Sequence, residues 1–496
     1  MKIKILLLSL LALTLFTSCI KDQGTYELKD LGTPTITTFT KGNATIGDPY
    51  IIKPVIDYNG LSEDDFEYFW FANMSDYSTA DTLSLKKDLS FVFTKAGWYI
   101  GVYQIKNKKT GGIISKVFDF NVVSKYQLGW VILSEKNGNS VLSYSRLNSG
   151  KIDTTFVDLY SSLYGANTLG KGPLSLGRHY SSSADQILVV QNGEGGAVEL
   201  NGTNFAKVIT SDKEFVDGSY PSGFSPIKAE YGERIEMIIG EDGRAYTRIN
   251  ASGTFQTTRY SNVAIDNAKI TKTHYRNSQS YILMYDELNK RCMGIQDLPQ
   301  LYTGKLLYVK MDPLGGNATE FTDLANMGTD SKLIYIGSYA SGSSRYFVQI
   351  IKKGSRYRIQ KFMLRLETAI QTLYVINGTE SDFLGNGTVT DNTHYFLTGS
   401  QYLFFGEGNG LYYYDFDLNI IKRYTTFTGN VTAIESNSDK NQIGVGLDNG
   451  EFHIFNISNE ILASGIPTTV VKVTNLGKVV DVQYKYGNYK NFNLQK

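Results

Sequence analysis

The sequence predicts an all-β protein in which a small β-sandwich precedes a larger β-propeller. Glycine occurs 48 times and proline only nine times, which is typical of many short strands joined by tight turns. Tyrosine occurs 35 times, as expected for half-buried pleated surfaces. Short apolar segments also recur about every 50 residues in the second part of the chain, the spacing of a repeat architecture. The one stretch with helical character runs from Thr322 to Met327.

The first residues predict that the chain is exported. Lys2 and Lys4 precede an uncharged, leucine-rich run that ends at Phe16, and the small residue Ser18 then precedes Cys19. A basic start, an apolar core and a small residue before the cleavage position are the parts of a signal peptide. The apolar run is shorter than the ~20 residues that a membrane-spanning helix needs. We therefore assign residues 1–18 to a signal peptide.

The sequence Phe16-Thr17-Ser18-Cys19 resembles the lipobox of bacterial lipoproteins. The resemblance implies that Cys19 carries a thioether-linked diacylglycerol and a further amide-linked chain. Each buried methylene contributes roughly 0.8 kcal/mol, so two or three chains hold a protein at a membrane. Lys21 and Asp22 resemble the surface-export signal of Bacteroidota lipoproteins, which implies the outer face of the outer membrane. An ordinary signal peptide with a cysteine at this position is the alternative, and residues 19–32 form the predicted tether.

Residues 33–124 show the alternating pattern of a β-sandwich. The segment from Leu89 to Ile105 resembles the closing hairpin of PKD domains, and Phe66 to Trp70 resembles their central aromatic strand. This resemblance implies a PKD/immunoglobulin-like sandwich, in which we expect Trp70 and Trp98 to pack in the core rather than to form carbohydrate platforms. The predicted strands are Thr35–Phe39, Tyr50–Val55, Phe66–Phe71, Leu89–Thr94, Trp98–Asn107 and Ile113–Val123.

Residues 125–496 contain seven pairs of strand-like segments, which predict a seven-bladed propeller. We expect the apolar first segment of each pair to line a central channel, and the segment Val479 to Tyr484 could complete the first blade. The pairs are Trp130–Leu133 with Val141–Tyr144, Ile187–Val190 with Ala197–Leu200, Ile235–Ile239 with Ala245–Arg248, Tyr281–Met284 with Leu306–Val309, Leu333–Ile336 with Tyr346–Ile350, Tyr402–Phe405 with Leu411–Tyr414, and Gln442–Val445 with Glu451–Ile454.

Charge and motif content predict a protein without catalytic, metal or cofactor sites. The 49 basic and 48 acidic residues create no field for nucleic acid. The four histidines are scattered without metal-ligand spacing. Cys292 is expected to be a buried free thiol. Asp415 and Asp417 alternate with aromatic residues, so we expect them on one solvated strand face, with a calcium role as the weaker alternative.

Aromatic side chains in connecting segments are the predicted ligand-binding residues. Tyr160, Tyr164, His179 and Tyr180 lie in the long connection after the first strand pair, and Tyr220 flanks a Pro-Ser-Gly turn. Loops on a rigid scaffold often carry binding residues, and tyrosines there can stack on sugars or cover a peptide backbone. The alternative is that these rings fill the gaps between blades.

The order of lipobox, PKD-like module and a strand beginning Gly129-Trp130-Val131 resembles the PKD-like lipoproteins of Bacteroidota. This resemblance implies a partnership with a Sus-type outer-membrane transporter and its lid lipoprotein, which import oligosaccharides or peptides. We therefore expect a surface-exposed, non-catalytic accessory component that binds such a nutrient. Two alternatives stay open: a propeller glycosidase or lyase with ionisable groups at the channel mouth, and a scaffold for outer-membrane proteins.

Overall fold

The computed structural model describes residues 33–39, 42–74, 80–148, 151–178, 186–249, 258–275, 279–298, 303–383, 389–399 and 401–486. The predicted signal peptide, Cys19 and the whole of the predicted tether lie outside these residues, as do His179 and Tyr180. The chain divides into two compact units, residues 1–123 and 124–496. Among the described residues, no helix has the length and apolar character required to cross a membrane.

The described residues of the first unit form a β-sandwich of nine strands. The strands are β1 (Thr35–Thr38), β2 (Ala44–Thr45), β3 (Pro49–Ile52), β4 (Val55–Asp57), β5 (Phe66–Met74), β6 (Asp81–Ser84), β7 (Leu89–Val92), β8 (Gly97–Asn107) and β9 (Ile113–Val123). One sheet has the order β2-β9-β8-β5-β6, and the pairs β1-β4 and β3-β7 form two small sheets. All pairs are antiparallel except β2 with β9, which are parallel.

Aromatic rings fill the core of the sandwich. Trp70 is fully buried, stacks on Tyr103 at 4.1 Å between ring centroids, and donates its indole N–H to the carbonyl of Lys86 at 2.9 Å. The prediction that Trp98 also lies in the core is wrong, because 46% of this residue is exposed. Alternation along β8 turns Tyr99 and Tyr103 inward, so Trp98 lies on the opposite face of the strand.

The described residues of the second unit form 27 strands, β10 to β36. Their bounds are β10 (Leu128–Lys136), β11 (Asn139–Asn148), β12 (Lys151–Phe156), β13 (Pro173–Arg178), β14 (Gln186–Gln191), β15 (Val198–Asn201), β16 (Lys207–Thr210), β17 (Pro226–Tyr231), β18 (Ile235–Gly240), β19 (Ala245–Ile249), β20 (Ile270–His274), β21 (Tyr281–Asp286), β22 (Arg291–Gln296), β23 (Leu306–Met311), β24 (Ser331–Ser341), β25 (Ser344–Lys353), β26 (Arg356–Glu367), β27 (Thr372–Asp382), β28 (His394–Leu397), β29 (Tyr402–Glu407), β30 (Gly410–Asp415), β31 (Ile420–Thr426), β32 (Val431–Ser436), β33 (Gln442–Leu447), β34 (Phe452–Asn456), β35 (Thr468–Val473) and β36 (Lys478–Tyr486).

These strands form the seven blades of a propeller, as predicted. From the innermost strand outward, blade 1 is β36-β10-β11-β12, blade 2 is β13 to β16, and blade 3 has the three described strands β17 to β19. Blades 4 to 7 are β20–β23, β24–β27, β28–β31 and β32–β35. The last strand closes the ring, because β36 pairs with β10 from Leu128 opposite Tyr486 to Glu135 opposite Lys478. The prediction that a terminal strand completes blade 1 is therefore confirmed.

Apolar clusters join each blade to the next around the whole ring. Val131 and Leu133 of blade 1 pack with Ile187 and Val189 of blade 2, and equivalent clusters link the six other neighbouring pairs. Most of the predicted apolar segments are the second strands of their blades, so the prediction that they line the channel is wrong. A second strand has blades on both faces and strands on both edges, which leaves no surface for water. The innermost strands lie at the axis instead.

Blades 4 and 5 share one eight-stranded sheet. Their outermost strands β23 and β27 pair in parallel, from Tyr308 opposite Thr372 to Met311 opposite Val375. The predicted pairing of Tyr281–Met284 with Leu306–Val309 is wrong, because β22 lies between these segments.

The helical prediction for Thr322 to Met327 is also wrong. This segment forms turns and irregular backbone, with Leu324 and Met327 buried in the cluster between blades 4 and 5. Backbone groups of this segment bond to residues outside it. The N–H of Met327 donates to the carbonyl of Lys290 at 2.8 Å, and the carbonyl of Leu324 accepts from the N–H of Cys292 at 2.7 Å. The α-helices of the described chain are α1 (Leu159–Tyr164) and α2 (Asn459–Ser464).

Candidate functional site

The innermost strands share a β-bulge. In six of the seven blades this strand has one extra residue relative to the second strand, and β28 is the exception. A bulge bends the strand and changes the direction of the side chains that follow it. The extra residues are Leu174, Ile227, Thr271, Ile334, Thr432 and Val480.

Polar side chains at or just after these bulges reach the innermost strand of the next blade. Such contacts hold neighbouring blades in a fixed relation around the axis, and each satisfies a polar group near the channel. The contacts are Ser175 Oγ to Ile227 O at 2.8 Å, Lys228 Nζ to Thr273 Oγ1 at 2.9 Å, Leu397 N to Tyr335 Oη at 3.1 Å, Thr432 Oγ1 to Val479 O at 2.7 Å, and Leu176 N to Asp481 Oδ2 at 2.8 Å.

Two carboxyl groups from adjacent blades form an acidic wall at the axis. Glu435 lies on β32 of blade 7 and Asp481 on β36 of blade 1. Burial, together with the charge of Asp481, raises the pKa of Glu435 to about 7. Burial likewise raises the pKa of Asp481 to about 6, against backbone hydrogen bonds and the charge of Lys228. Protein encloses both carboxyl groups, yet neither side chain is fully buried, so we place them on the channel surface.

Four consecutive blades supply a basic wall. Lys228, Lys272, Lys332 and His394 come from the innermost strands of blades 3, 4, 5 and 6. In a ring of seven blades, blade 4 lies opposite the boundary between blades 7 and 1, where the acidic wall is.

Lys272 is the least compensated of the three lysines. Burial and then the neighbouring charges of Lys228 and Lys332 lower the pKa of its ammonium to about 8, while Asp391 and Glu287 act in the opposite direction. Within the described residues, its ammonium has no hydrogen-bond or ion-pair partner.

His394 lies near Lys272 but is more exposed, at the first position of β28. Burial and then the charge of Lys272 lower the pKa of its imidazole, and Glu407 opposes them. The two outer lysines are partly compensated, because Lys228 Nζ lies 3.7 Å from Glu230 Oε2 and Lys332 Nζ lies 3.2 Å from Asp391 Oδ2.

Asp391 anchors the edge of the basic wall. Its carboxylate also accepts a hydrogen bond from Lys352 at 3.1 Å and one from the Tyr357 hydroxyl at 2.9 Å. Burial opposes ionisation of Asp391, but the bonds from Lys352, Tyr357 and Lys332 outweigh it and hold the pKa at about 2. This carboxylate therefore stays charged and fixes the ammonium group of Lys332.

The basic groups lie toward one face of the propeller, which we call the connector face. The innermost strands all begin there, and the connections between blades lie on the same side because each four-stranded blade ends where the next begins. His394 is the first residue of β28 and Lys332 the second of β24. The connector face therefore offers access to the charged channel.

Three of the predicted tyrosines, Tyr160, Tyr164 and Tyr220, lie in the connections of this face. Tyr160 is buried in α1, and its ring lies 5.1 Å from that of Tyr164, which is 39% exposed. The Tyr164 hydroxyl donates to the carbonyl of Asn204 at 2.6 Å. Tyr220 packs in a different connection, against Phe215. A ligand-binding role for these three residues stays a prediction, and His179 and Tyr180 lie outside the described residues.

Two other predicted features have clear positions. Cys292 is a buried free thiol, as predicted, and burial raises its pKa to about 12. The prediction of a solvated face for Asp415 and Asp417 is wrong, because Asp415 is buried at the end of β30. Asp415 accepts the backbone N–H groups of Asp417 at 3.0 Å and Leu418 at 3.2 Å, so its role is in the turn. Among the described residues, no group of three side chains is arranged to hold a metal ion.

The sequence pattern did not predict the channel residues, because the clear apolar signal belongs to the second strands and the channel residues lie on the innermost strands. Lys228, Lys272 and Asp481 stand in short segments that precede or follow the recognised pairs. A signal was present, since in each case one charged residue interrupts a β-branched or apolar stretch, as in Ile270-Thr271-Lys272-Thr273. The seven-fold repeat would have placed these residues at one axis.

Comparison with known proteins supports the PKD-like prediction for the amino-terminal domain. The PKD-like family matches residues 19–173, and no curated protein matches the chain. A periplasmic gluconolactonase of Pseudomonas aeruginosa aligns with 10% identity and a TM-score of 0.49, over 73% of this chain and 99% of that one. A candidate 6-phosphogluconolactonase of Bacteroides fragilis NCTC 9343 aligns with 11% identity and a TM-score of 0.47, over 72% of this chain and 98% of its own. At such identities neither alignment bears on activity.

Proposed function

We propose that the protein is a non-catalytic binding component that holds a small nutrient molecule in its propeller channel. One observation carries the proposal: an acidic wall and a basic wall, built from the innermost strands of six blades, face the same axis. Preorganised, partly desolvated charges are costly unless a ligand compensates them. Such groups converging in a concave site are the ordinary signature of ligand binding.

The main test is a binding screen with the mature chain, residues 19–496. Oligosaccharides and short peptides are titrated by calorimetry, together with the variants Glu435→Gln and Asp481→Asn. We expect one class of ligand to bind, and each variant to weaken its affinity about tenfold, a loss of about 1.4 kcal/mol. Failure of every oligosaccharide and peptide to bind would refute the proposal.

We further propose that Cys19 is acylated and holds the protein on the outer face of the outer membrane, beside a Sus-type transporter and its lid lipoprotein. The lipobox and the match of the PKD-like family to residues 19–173 support this location. Mass spectrometry of the native N-terminus should find the acylated cysteine, and protease added to intact cells should digest the protein. Cross-linked cells should yield the transporter with it; an unmodified protein released into the medium would contradict the anchor.

An enzyme acting on a glycan is the second candidate, because the acidic wall also suits acid–base chemistry. The pKa of Glu435 is about 7 and that of Asp481 about 6, close to the operating range of general acids and bases. If this candidate is right, the ligand found in the screen is converted to product, and Glu435→Gln abolishes conversion while binding persists. Under the main proposal, the ligand is recovered unchanged after prolonged incubation.

A further inference from the structure

We infer that the channel binds a dipolar ligand, and specifically a short peptide with a free amino terminus and a free carboxyl terminus. The inference rests on the proposed binding function and names its ligand class. It follows from the arrangement of the two walls: Glu435 and Asp481 come from the innermost strands of the adjacent blades 7 and 1, and the basic groups come from the innermost strands of blades 3 to 6.

The acidic wall suits an ammonium group. Asp481 accepts the N–H of Leu176 at 2.8 Å and of Val482 at 2.9 Å, and Glu435 accepts the N–H of Ser436 at 2.8 Å. These bonds fix the carboxyl groups. The like charges oppose each other's ionisation, and a cation placed between them removes that opposition.

Gln483 adds an acceptor to this wall. It lies two residues after Asp481 and therefore on the same face of β36. Its amide oxygen is buried and has no hydrogen-bond partner within the described residues. A buried acceptor without a partner costs free energy, which a donating N–H of a ligand would recover. An ammonium group with the following amide N–H supplies such donors.

The basic wall suits a carboxylate. Lys272 and His394 have no partners for their side-chain nitrogens among the described residues, and the charge of Lys272 disfavours protonation of His394. Lys228 and Lys332 flank Lys272 and repel it. A carboxylate at this position would accept hydrogen bonds from Lys272 and offset the repulsion among the three lysines.

A neutral oligosaccharide fits this channel less well than a peptide. Hydroxyl groups would displace water from the ammonium of Lys272 and the carboxyl of Glu435 without supplying an opposite charge. The charge of Lys228 already lowers the pKa of Asp481, so the two walls are close enough to interact. A peptide carries opposite charges at its two ends and can therefore engage both walls at once.

The experiment uses the mature chain and a pool of tripeptides Ala-Xaa-Ala with all twenty central residues. Equilibrium dialysis with mass spectrometry measures retention of the free pool, an N-acetylated pool and a C-amidated pool. Either cap should lower retention at least tenfold. Lys272→Met should abolish discrimination against the amidated pool, and Glu435→Gln should abolish discrimination against the acetylated pool. The control Lys310→Met, at an exposed position on the outermost strand of the same blade as Lys272, should behave as wild type.

A second measurement on the unmutated protein guards against variants that fail to fold. The lysines are reductively dimethylated with carbon-13, and the titration of Lys272 is followed by NMR with and without the free tripeptides. Binding of the free tripeptides should raise the pKa of Lys272 from its low value. The N-acetylated pool and the C-amidated pool should both leave the pKa of Lys272 unchanged. Equal retention of capped and free peptides, or an unchanged Lys272 titration, overturns the inference. Retention of maltoheptaose instead of peptides overturns the inference and leaves the proposed binding function intact.

Discussion

Arg248 is the cation of an ion network closed to solvent, formed by blade 3 and the connections on either side of it. Its guanidinium donates to Glu214 at 2.7 Å and to Glu236, and it lies 4.5 Å from the centre of the Tyr260 ring. Arg248, both glutamates and Tyr260 are all buried. Removing one partner of a buried ion pair leaves an uncompensated charge, which is more costly than the absence of the whole pair.

We therefore expect Arg248→Met to lower the free energy of unfolding by about 3–5 kcal/mol. Urea denaturation followed by circular dichroism measures the change. Arg423→Met, on the exposed side of β31, should change the value by less than about 0.5 kcal/mol. The triple variant Arg248→Met, Glu214→Gln, Glu236→Gln should recover part of the loss. A triple variant less stable than the single one would show that charge is not the cause.

Cys292 provides a test of burial in blade 4. A thiol with a pKa of about 12 is almost entirely protonated at pH 8, and protonated thiols react slowly. Ellman's reagent should find no reactive thiol in the native Cys19→Ser variant and one in the same protein in 6 M guanidinium. Rapid reaction of the native protein would place this residue at the surface.

Glu435 should make stability depend on pH in a known direction. Its folded pKa lies above the ordinary value, so the contribution of this group is fully present below about pH 4.5 and is lost as pH rises through about 7. Glu435→Gln should therefore stabilise the protein at pH 8 by about 1–3 kcal/mol relative to its effect at pH 4.5. Urea denaturation at both values measures the difference. An effect of equal size at both would contradict the shift.

At the scale of elements, close packing between blades strictly limits the size of the side chains at their contacts. A Cβ atom at Gly446 of β33 would lie 2.3 Å from Cγ1 of Val479 on β36, closer than packed atoms come. Gly446→Ala should therefore cost about 1–3 kcal/mol, and Val479→Ala about 2 kcal/mol. The double variant should cost less than the sum, because Val479→Ala removes the clashing methyl. Additive losses in urea denaturation would show that these strands do not touch.

The sequence predicted the second and third strands of most blades because their burial leaves a clear apolar signal. It missed β22 since Cys292-Met293-Gly294 mixes small and flexible residues. It could not identify the innermost strands, because one edge faces the channel and their residues alternate between packing and polar contacts. The side chains of Lys228 and Asp481 form hydrogen bonds with residues of the next blade. Those partners are distant in the sequence, so the local pattern gives no sign of them.

At the scale of the whole molecule, the ring closes through a pairing between distant residues. Glu135 and Lys478 lie directly opposite each other on β10 and β36. Cross-strand Cβ atoms are about 4.5–5.5 Å apart, near the range that a disulfide spans. The variant Glu135→Cys, Lys478→Cys should form a disulfide on mild oxidation and unfold at a higher temperature, as mass spectrometry and thermal denaturation would show.

The matched control places the second cysteine on the outer strand of blade 7. Glu135→Cys, Lys472→Cys should stay reduced, because β35 does not pair with β10. Disulfide formation in the control and not in the first variant would contradict the arrangement of the ring.

The candidate site belongs to this scale as well. Its charged residues come from six strands that are separated by tens of residues in the sequence, and no two adjacent charges form a motif. Only closure of the ring brings Glu435 of blade 7, Asp481 of blade 1 and Lys272 of blade 4 to one axis. The sequence therefore predicted the architecture that creates the site, but not the site.

The position of β36 has a consequence for secretion. If the chain leaves the cytoplasm amino terminus first, its first blade emerges without its innermost strand and presents the bare edge of β10 until the last residues follow. Such an edge readily recruits foreign strands. Export would then require a chaperone that shields β10, or rapid folding of the six intervening blades. A premature stop codon near the carboxyl terminus would remove β36, and the truncated protein would aggregate instead of binding its ligand.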